Sequence, residues 1–204
     1  MTVAQKTSAQ QTSAQKTGTA AGTGEGLVSI APPALFVDAL WIGWRHEGDA
    51  ADLVRSLKYG RLTAAVTPIA DRMAQVSCGA RAALVTWVPC SPSHRRGRGF
   101  DPAELLARAL ARRLRVKSRR LLRRDDDRPQ TSRTLQGRLE GPDLSFCGGR
   151  LGGSVLLVDD VCTTGSTLRA AAAELRAAGA SSVSAAVATA AALTPRQPAA
   201  LPLR

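Results

Sequence analysis

Val155-Leu156-Leu157-Val158-Asp159-Asp160-Val161-Cys162-Thr163-Thr164-Gly165-Ser166-Thr167 changes character abruptly at its middle. The apolar run Val155 to Val158, β-branched at both ends, suits a strand buried on both faces, as at the centre of a parallel sheet. Two carboxylates, Asp159 and Asp160, end that strand and are placed to reach hydroxyls or a metal. Thr163 to Thr167 then form a turn with little bulk, exposed N–H groups, and hydroxyls on Thr163, Thr164, Ser166 and Thr167. Such a turn is shaped for a phosphate.

Downstream, Leu168, Ala171, Ala172 and Leu175 recur at helical spacing, and Gly179 is a C-terminal stop. The turn therefore opens a helix. Its orphan N–H groups and positive dipole end, at Ser166 and Thr167, would face the phosphate, the dipole contributing ~0.3–1 kcal/mol. No Gly-Lys-Ser/Thr sequence is present, which argues against a nucleoside-triphosphate P-loop.

The whole run resembles the phosphoribosyl diphosphate (PRPP) motif of type I phosphoribosyltransferases: a strand, two acids and a Thr-Thr-Gly-Ser-Thr loop. The resemblance implies that Asp159 and Asp160 contact the ribose hydroxyls and that Thr163, Thr164, Gly165, Ser166 and Thr167 hold the 5′-phosphate. The plainer reading is an ordinary strand-to-helix turn of an α/β protein. It leaves the paired acids and the hydroxyl-rich loop unexplained together.

The chain has 204 residues, 44% of them hydrophobic and 3% aromatic, enough for one domain with a core plus a tail. Its formal charge of +12 raises a nucleic-acid or polyphosphate partner, though an Arg-rich proteome gives the same balance by default. Residues 1–26 repeat Ala4-Gln5-Lys6-Thr7 as Ala14-Gln15-Lys16-Thr17 among Ser, Thr, Gln, Gly and Ala, and carry little that packs a core. A disordered polar tail is expected there. With no signal-peptide core and no run of ~18 apolar residues, the expectation is a cytoplasmic protein without membrane insertion. Cys78, Cys90, Cys147 and Cys162 form no Cys-x-x-Cys pair, so reduced thiols are expected, Cys162 as a small buried hydrophobe.

Between Leu27 and Gln75, the alternation Leu35, Val37, Ala39, Trp41 predicts a strand, and Ala50, Leu53, Val54, Leu57 predict a helix. Around Pro68 the pattern fits either a helix starting at the proline with Thr67 as cap or two short pieces. His46-Glu47-Gly48 followed by Leu53 to Gly60, with its Leu57-Lys58-Tyr59, resembles the start of the phosphoribosyltransferase-like domain of ComF competence proteins, with His46 replacing an aromatic. Apart from that resemblance, Lys58 and Tyr59 read as a snorkelling lysine and a rim aromatic.

Ala83 to Val88 predicts the next strand, ended by Pro89, and Cys90 to Phe100 a basic loop. Asp101 as cap, Pro102 at the first helical position and Glu104 completing a capping box start a helix with Leu105, Leu106, Ala109, Leu110 and Leu114 on one face. This segment resembles the Val-Pro and Arg-Arg-x-Arg-Gly-Phe-Asn pattern of ComF proteins, with Asp101 in place of Asn. The resemblance implies that the loop, including Ser91, Arg95, Arg96 and Arg98, faces the diphosphate, where guanidinium forks suit that anion. A solvated basic loop is the bland reading of any one of the three arginines. Arg108, Arg112, Arg113, Arg115, Lys117, Arg119, Arg120, Arg123 and Arg124 follow as a dense basic run without interleaved aromatics, which fits phosphate contacts or a solvated helix face better than base stacking.

From Arg124 to Phe146, Pro129, Gly137, Gly141, Pro142 and many polar residues predict a long mobile loop. The family resemblance makes it a cover over PRPP, with Gln130, Thr131 and Arg138 as matching positions. Asp125 to Asp127 either pair with the preceding arginines or approach the diphosphate through Mg²⁺. Val183 to Thr189 predicts a last strand.

The expected fold is α/β: a mostly parallel sheet of the type I phosphoribosyltransferase kind with helices on both faces, ligand loops at strand carboxyl ends and an N-terminal cap. The expected organisation is a tail at 1–26, a cap at 27–80, a core at 81–190 and an irregular tail at 191–204. The four-cysteine zinc module usual in ComF proteins is not found, so no structural zinc is expected. The resemblance implies a Mg²⁺-dependent PRPP transferase acting on an unknown nitrogen acceptor, with Asp159 and Asp160 stabilising positive charge on the ribose. A second class is a non-catalytic competence accessory that contacts single-stranded DNA or DNA-uptake proteins.

Overall fold

The computed structural model describes residues 27–29, 37–60, 63–124 and 142–191. Its main sheet has six strands: β1 (Leu27–Ser29), β2 (Leu40–Arg45), β3 (Leu84–Trp87), β4 (Lys117–Ser118), β7 (Ser154–Cys162) and β8 (Ser182–Ala190). They lie in the order β1-β2-β8-β7-β3-β4. Every neighbouring pair is parallel except β1 with β2. A separate ribbon joins β5 (Leu122–Arg124) antiparallel to β6 (Leu144–Phe146).

β7 lies between β3 and β8, which accounts for its unbroken apolar run: a strand with parallel neighbours on both sides is covered on both faces. Val155 and Leu157 turn to one face and meet Leu168, Ala171, Ala172 and Leu175 of the helix α5 (Ser166–Ala177). Leu156 and Val158 turn to the other. There they meet Val54 and Leu57 of α1 (Gly48–Tyr59), Ile69 and Met73 of α2 (Val66–Val76), and Leu106 and Leu110 of α4 (Pro102–Leu114). Each fully buried leucine here stabilises the fold by roughly 1.5–3 kcal/mol relative to exposure. Helices thus cover both faces, as the sequence pattern predicts.

Several local expectations need correction. β7 does not end at the acids but continues through Asp159 and Asp160 to Cys162, because β8 is equally long and keeps pairing, Asp159 opposite Val187 and Cys162 opposite Ala190. Of the predicted alternation, Leu35 lies outside the described residues, and the strand begins at Leu40 and runs to Arg45. Val37 to Ala39 only approach it, Asp38 exchanging backbone and side-chain hydrogen bonds with Val183. Residues 27–80 are not simply a cap, since β2 is a full member of the sheet beside β8. Gly43 permits that approach: a Cβ there would lie 2.5 Å from the Ala188 carbonyl oxygen.

Pro68 sits inside the first turn of α2, where its missing N–H leaves no helical bond unmade, and a 3₁₀ turn (Thr63–Ala65) leads in. The basic loop after β3 is largely a short helix, α3 (Pro92–Arg98). The stretch from Arg124 to Phe146 begins and ends in the β5–β6 ribbon. No helix among the described residues is long and apolar enough to cross a membrane.

Candidate functional site

β3 lies between β4 and β7, so the chain leaves it for one side of the sheet, through α3 and α4 to β4, while β7 continues through α5 to β8 on the other. The crevice outside the carboxyl ends of two such strands is where parallel α/β sheets take ligands. A cavity of about 230 Å³ occupies that position. Val88 to Ser91 line it from the β3 side and Asp159 to Val161 from β7, with Lys58, Tyr59, His94, Arg98, Asp101, Arg124 and Thr167 completing the wall.

Asp159 and Asp160, although adjacent on one strand, are held differently. Asp159 Oδ1 accepts from the Asp160 N–H at 2.8 Å. Burial, and next the neighbouring Asp160 charge, push the Asp159 carboxyl well above the ordinary range, with the Asp160 N–H and Lys58 acting in the opposite sense. Asp160 Oδ1 instead meets Lys58 Nζ at 2.9 Å, and both side chains are largely withdrawn from solvent. The Asp160 main chain is also tied down: Thr189 Oγ1 contacts its carbonyl, and His46 Nδ1 lies 2.8 Å from the same hydroxyl.

The turn after β7 forms a small cup of about 20 Å³ lined by Thr163, Thr164, Gly165, Ser166 and Thr167 together with Asp159. Gly165 caps α5 with φ 76°, a left-handed conformation that disfavours a side chain. The Ser166 N–H donates to Thr164 Oγ1 at 3.4 Å, and Thr164 Oγ1 lies 3.1 Å from Ser166 Oγ. The cup therefore combines a helix N-terminus with hydroxyl donors, a ready environment for an anion.

Across the cavity, Ser91 caps α3, its Oγ accepting from the His94 N–H, and Gly99 ends that helix with φ 83°. Of the three arginines there, Arg98 reaches the cavity wall and stands over the Tyr59 ring, 4.9 Å from its centroid. Arg95 turns to Glu104 at 3.2 Å, and neither Arg95 nor Arg96 lines the cavity. Asp101 caps α4 as predicted, accepting from Ala103 N and Glu104 N, and also accepts from Cys90 N. Glu104 completes no capping box: its carboxylate bonds to Arg108 and pairs with Arg95. Burial raises the Asp101 carboxyl, against the hydrogen bonds it accepts from Cys90 and Glu104. Burial, then Asp101, pushes the Cys90 thiol up to about 12, and burial, then Asp159, pushes Cys162 up to about 11. Neither thiol is a nucleophile at neutral pH.

The structure thus brings Asp159, Asp160, Ser91, Arg98 and Thr167 to one cavity and Thr163 to Ser166 to the adjoining cup. Gln130, Thr131, Arg138 and Asp125 to Asp127 lie outside the described residues. The basic run is divided. Arg113 bonds to Asp71, the Ala109 carbonyl and the Thr67 carbonyl, Arg120 to the Leu122 carbonyl, and Arg123 to Ser145. Arg112, Arg115, Lys117 and Arg119 are exposed. Residue-by-residue reading left Lys58 as a surface lysine. The signal that could have found it is its place in the last turn of an amphipathic helix, beside the buried Leu57.

Fold and cleft together define a mostly parallel α/β domain with a cleft at a switch in strand order, two acids on one side and a cup at the N-terminus of α5 beside them. A family model, Phosphoribosyl transferase domain, matches residues 98–201, more than half of the 204, and the chain belongs to that family. Among solved structures, glutamine phosphoribosylpyrophosphate (PRPP) amidotransferase from B. subtilis, complexed with ADP and GMP, is 25% identical, with a TM-score of 0.47 over 62% of this chain. A structure described as the allosteric regulatory enzyme of purine biosynthesis is likewise 25% identical, with a TM-score of 0.46 over 62% of this chain. The chain spans about a quarter of each, 26% of its length. No curated protein matches the sequence.

Proposed function

We propose that the chain binds PRPP with Mg²⁺ and transfers its phosphoribosyl group to a nitrogen acceptor, as a protein of the ComF type that its motifs resemble. The observation that carries this reading is the adjacency of the Asp159–Asp160 pair to the Thr163–Thr167 cup, acids for ribose hydroxyls beside a seat for the 5′-phosphate. In the transfer, the bond from ribose C1 to diphosphate breaks, a C1–N bond forms and the acceptor nitrogen loses a proton. Asp159 and Asp160 orient the hydroxyls and stabilise positive charge developing on the ribose. Arg98, on the cavity wall, would meet the departing diphosphate. No protein nucleophile is needed.

Mg²⁺ commonly rests on one or two carboxylates plus substrate phosphates and waters, and the aspartate pair fits that requirement. When bound, it would neutralise charge on the leaving diphosphate. Among the described residues no group of three or more His, Cys, Asp or Glu forms a self-contained metal site, so the ion would arrive with its substrate. Calorimetry tests the reading: the parent chain should bind PRPP only with Mg²⁺, and Asp159→Asn with Asp160→Asn should abolish binding while far-UV dichroism stays unchanged. Equal affinity in the double variant would refute it.

The exposed side chains of Arg112, Arg115, Lys117 and Arg119 support a second reading, contact with single-stranded DNA during competence. Four neutralised phosphates would give a log–log salt slope of roughly −3. No retention of an oligonucleotide at low salt would end that reading.

A further inference from the structure

The cleft lies at the carboxyl ends of the strands, and the amino ends carry a charge arrangement of their own. Lys117, Leu84 and Val155 stand level with one another at the starts of β4, β3 and β7. Neighbouring strands lie ~4.8 Å apart, so the three entries fall within about 10 Å. Separate parts of the chain bring exposed cations there: Arg81 just ahead of β3, Arg115 and Lys117 at β4, Arg150 just ahead of β7, and Arg112 in the last turn of α4. The Leu151 N–H donates to the Ala178 carbonyl and the Ser181 N–H to the Gly153 carbonyl, which fixes the Arg150 segment at this end. None of the five side chains has an ion pair among the described residues. The nearby acids are already engaged: Asp38 meets Arg176 at 2.6 Å, Asp71 holds Arg113, and Glu174 accepts from the Phe146 N–H. Arg115 adds an independent sign. At φ 57° it is the one non-glycine residue with positive φ among the described residues, at the C-cap of α4. Glycine is the usual occupant of such a cap. An arginine held there, with no partner for its guanidinium in the fold, is local strain whose use faces outward.

We propose that this amino-end face is a docking surface for the sugar-phosphate backbone of a nucleic acid, read without contact to its bases. This rests on the DNA reading, independently of the phosphoribosyl one, and adds where the contact lies and what it reads. Guanidinium forks match phosphate oxygens in pairs, and four of the five cations are arginines. Base stacking needs exposed rings, and the large apolar side chain exposed among the described residues, Tyr59, stands in the cleft wall at the other end of the sheet. Backbone contact alone favours the denser charge of a duplex, one per ~1.7 Å of axis, so a duplex should bind at least as tightly as a single strand.

The test is fluorescence anisotropy of the full chain with one labelled oligonucleotide, single-stranded and as a duplex, across a salt series. Replacing Arg81, Arg115 and Arg150 together by Gln should weaken the duplex at least about tenfold at low salt and flatten its log–log slope by roughly 2.7. A charge-matched control, Arg45→Gln with Arg55→Gln and Arg108→Gln, removes arginines paired with Glu47, Asp52 and Glu104. It should keep duplex affinity within about twofold, since only contacted phosphates release counterions. Arg115→Gly suits the left-handed cap, so it should flatten the slope by roughly 0.9 without lowering the melting temperature. Equal losses in the triple variant and its control would overturn the face in favour of diffuse charge. Binding of the single strand alone would overturn base-free recognition. A lowered melting temperature with an unchanged slope in Arg115→Gly would overturn the outward role of that arginine. Failure of both oligonucleotides to bind the parent chain at low salt would overturn the DNA reading and the face together, leaving the phosphoribosyl site untouched.

Discussion

Asp159→Asn should make the unliganded protein more stable at neutral pH and a poorer ligand binder at the same time. Burial and the Asp160 charge hold the folded-state pKa of Asp159 well above its ordinary 3.8. For an acid raised in this way, the unfolded chain ionises first as pH rises through 3.8, while the native state keeps its proton. Stability therefore falls with pH until the native pKa is passed, and the full penalty persists above it. Asparagine removes the charge and still accepts the Asp160 N–H bond now made at 2.8 Å. The gain at pH 7 should be about 0.5–2 kcal/mol, the usual yield of relieving a local conflict. At ~2–4 °C per kcal/mol for a domain of this size, the melting temperature should rise by ~1–8 °C. Loss of a charge-assisted contact, ~1.5–3 kcal/mol, should weaken PRPP by about 10–150-fold. Thermal melts from pH 3.5 to 8 without divalent metal, paired with PRPP calorimetry at pH 7, read both effects. The stability gain must shrink toward zero near pH 3.5. A variant less stable at pH 7, or a gain independent of pH, would refute the reasoning.

Lys58→Ala and Asp160→Asn should each destabilise the fold by about 1–3 kcal/mol, since each leaves a largely desolvated partner unpaired. Their double variant should lose less than the sum by about 0.5–3 kcal/mol in urea melts, and strict additivity would deny the ion pair. Arg113→Ala should lower the urea midpoint measurably because it severs the link from α4 to Asp71 and Thr67 on α2, whereas exposed Arg112→Ala should leave it unchanged. Equal effects at the two positions would contradict the division of the basic run.

What the sequence revealed was what is local and periodic. Val155 to Val158 is apolar at successive positions, short and β-branched at both ends, which suits a strand covered on both faces, so the centre of the sheet was legible. The same holds for Leu168 to Leu175 and for Asp101 before Pro102, where spacing or capping chemistry names the element. α3 was not legible, because it buries no residue and carries no apolar stripe; a serine cap at Ser91 and a left-handed Gly99 hold it instead. β2 was only partly legible: the alternation through Val37, Ala39 and Trp41 has the right period, but the regular ladder with β8 registers from Leu40, and Asp38 and Ala39 reach β8 through single backbone bonds to Val183 and Ala185. Of the arginines at 95, 96 and 98, composition made all three equal, and only the tertiary structure shows that Arg98 meets Tyr59 of α1 while Arg95 meets Glu104 of α4.

The least legible part of the site is also what joins it. β3 and β7 are neighbours in the sheet, so the segment from Cys90 to Asp101 and the one from Asp159 to Thr167 meet whatever α1 does. The last turn of α1 adds something the sheet cannot. Consecutive helical residues point roughly 100° apart, so Lys58 and Tyr59 cannot share one target: Lys58 goes to Asp160 at the end of β7, and Tyr59 to Arg98 at the end of α3. One helical turn therefore ties the acid side of the cleft to its arginine side. On the proposed reading, a ligand that draws Asp160 to its own hydroxyls must compete with Lys58. The two sides of the cleft are thus joined by side chains from adjacent residues of α1.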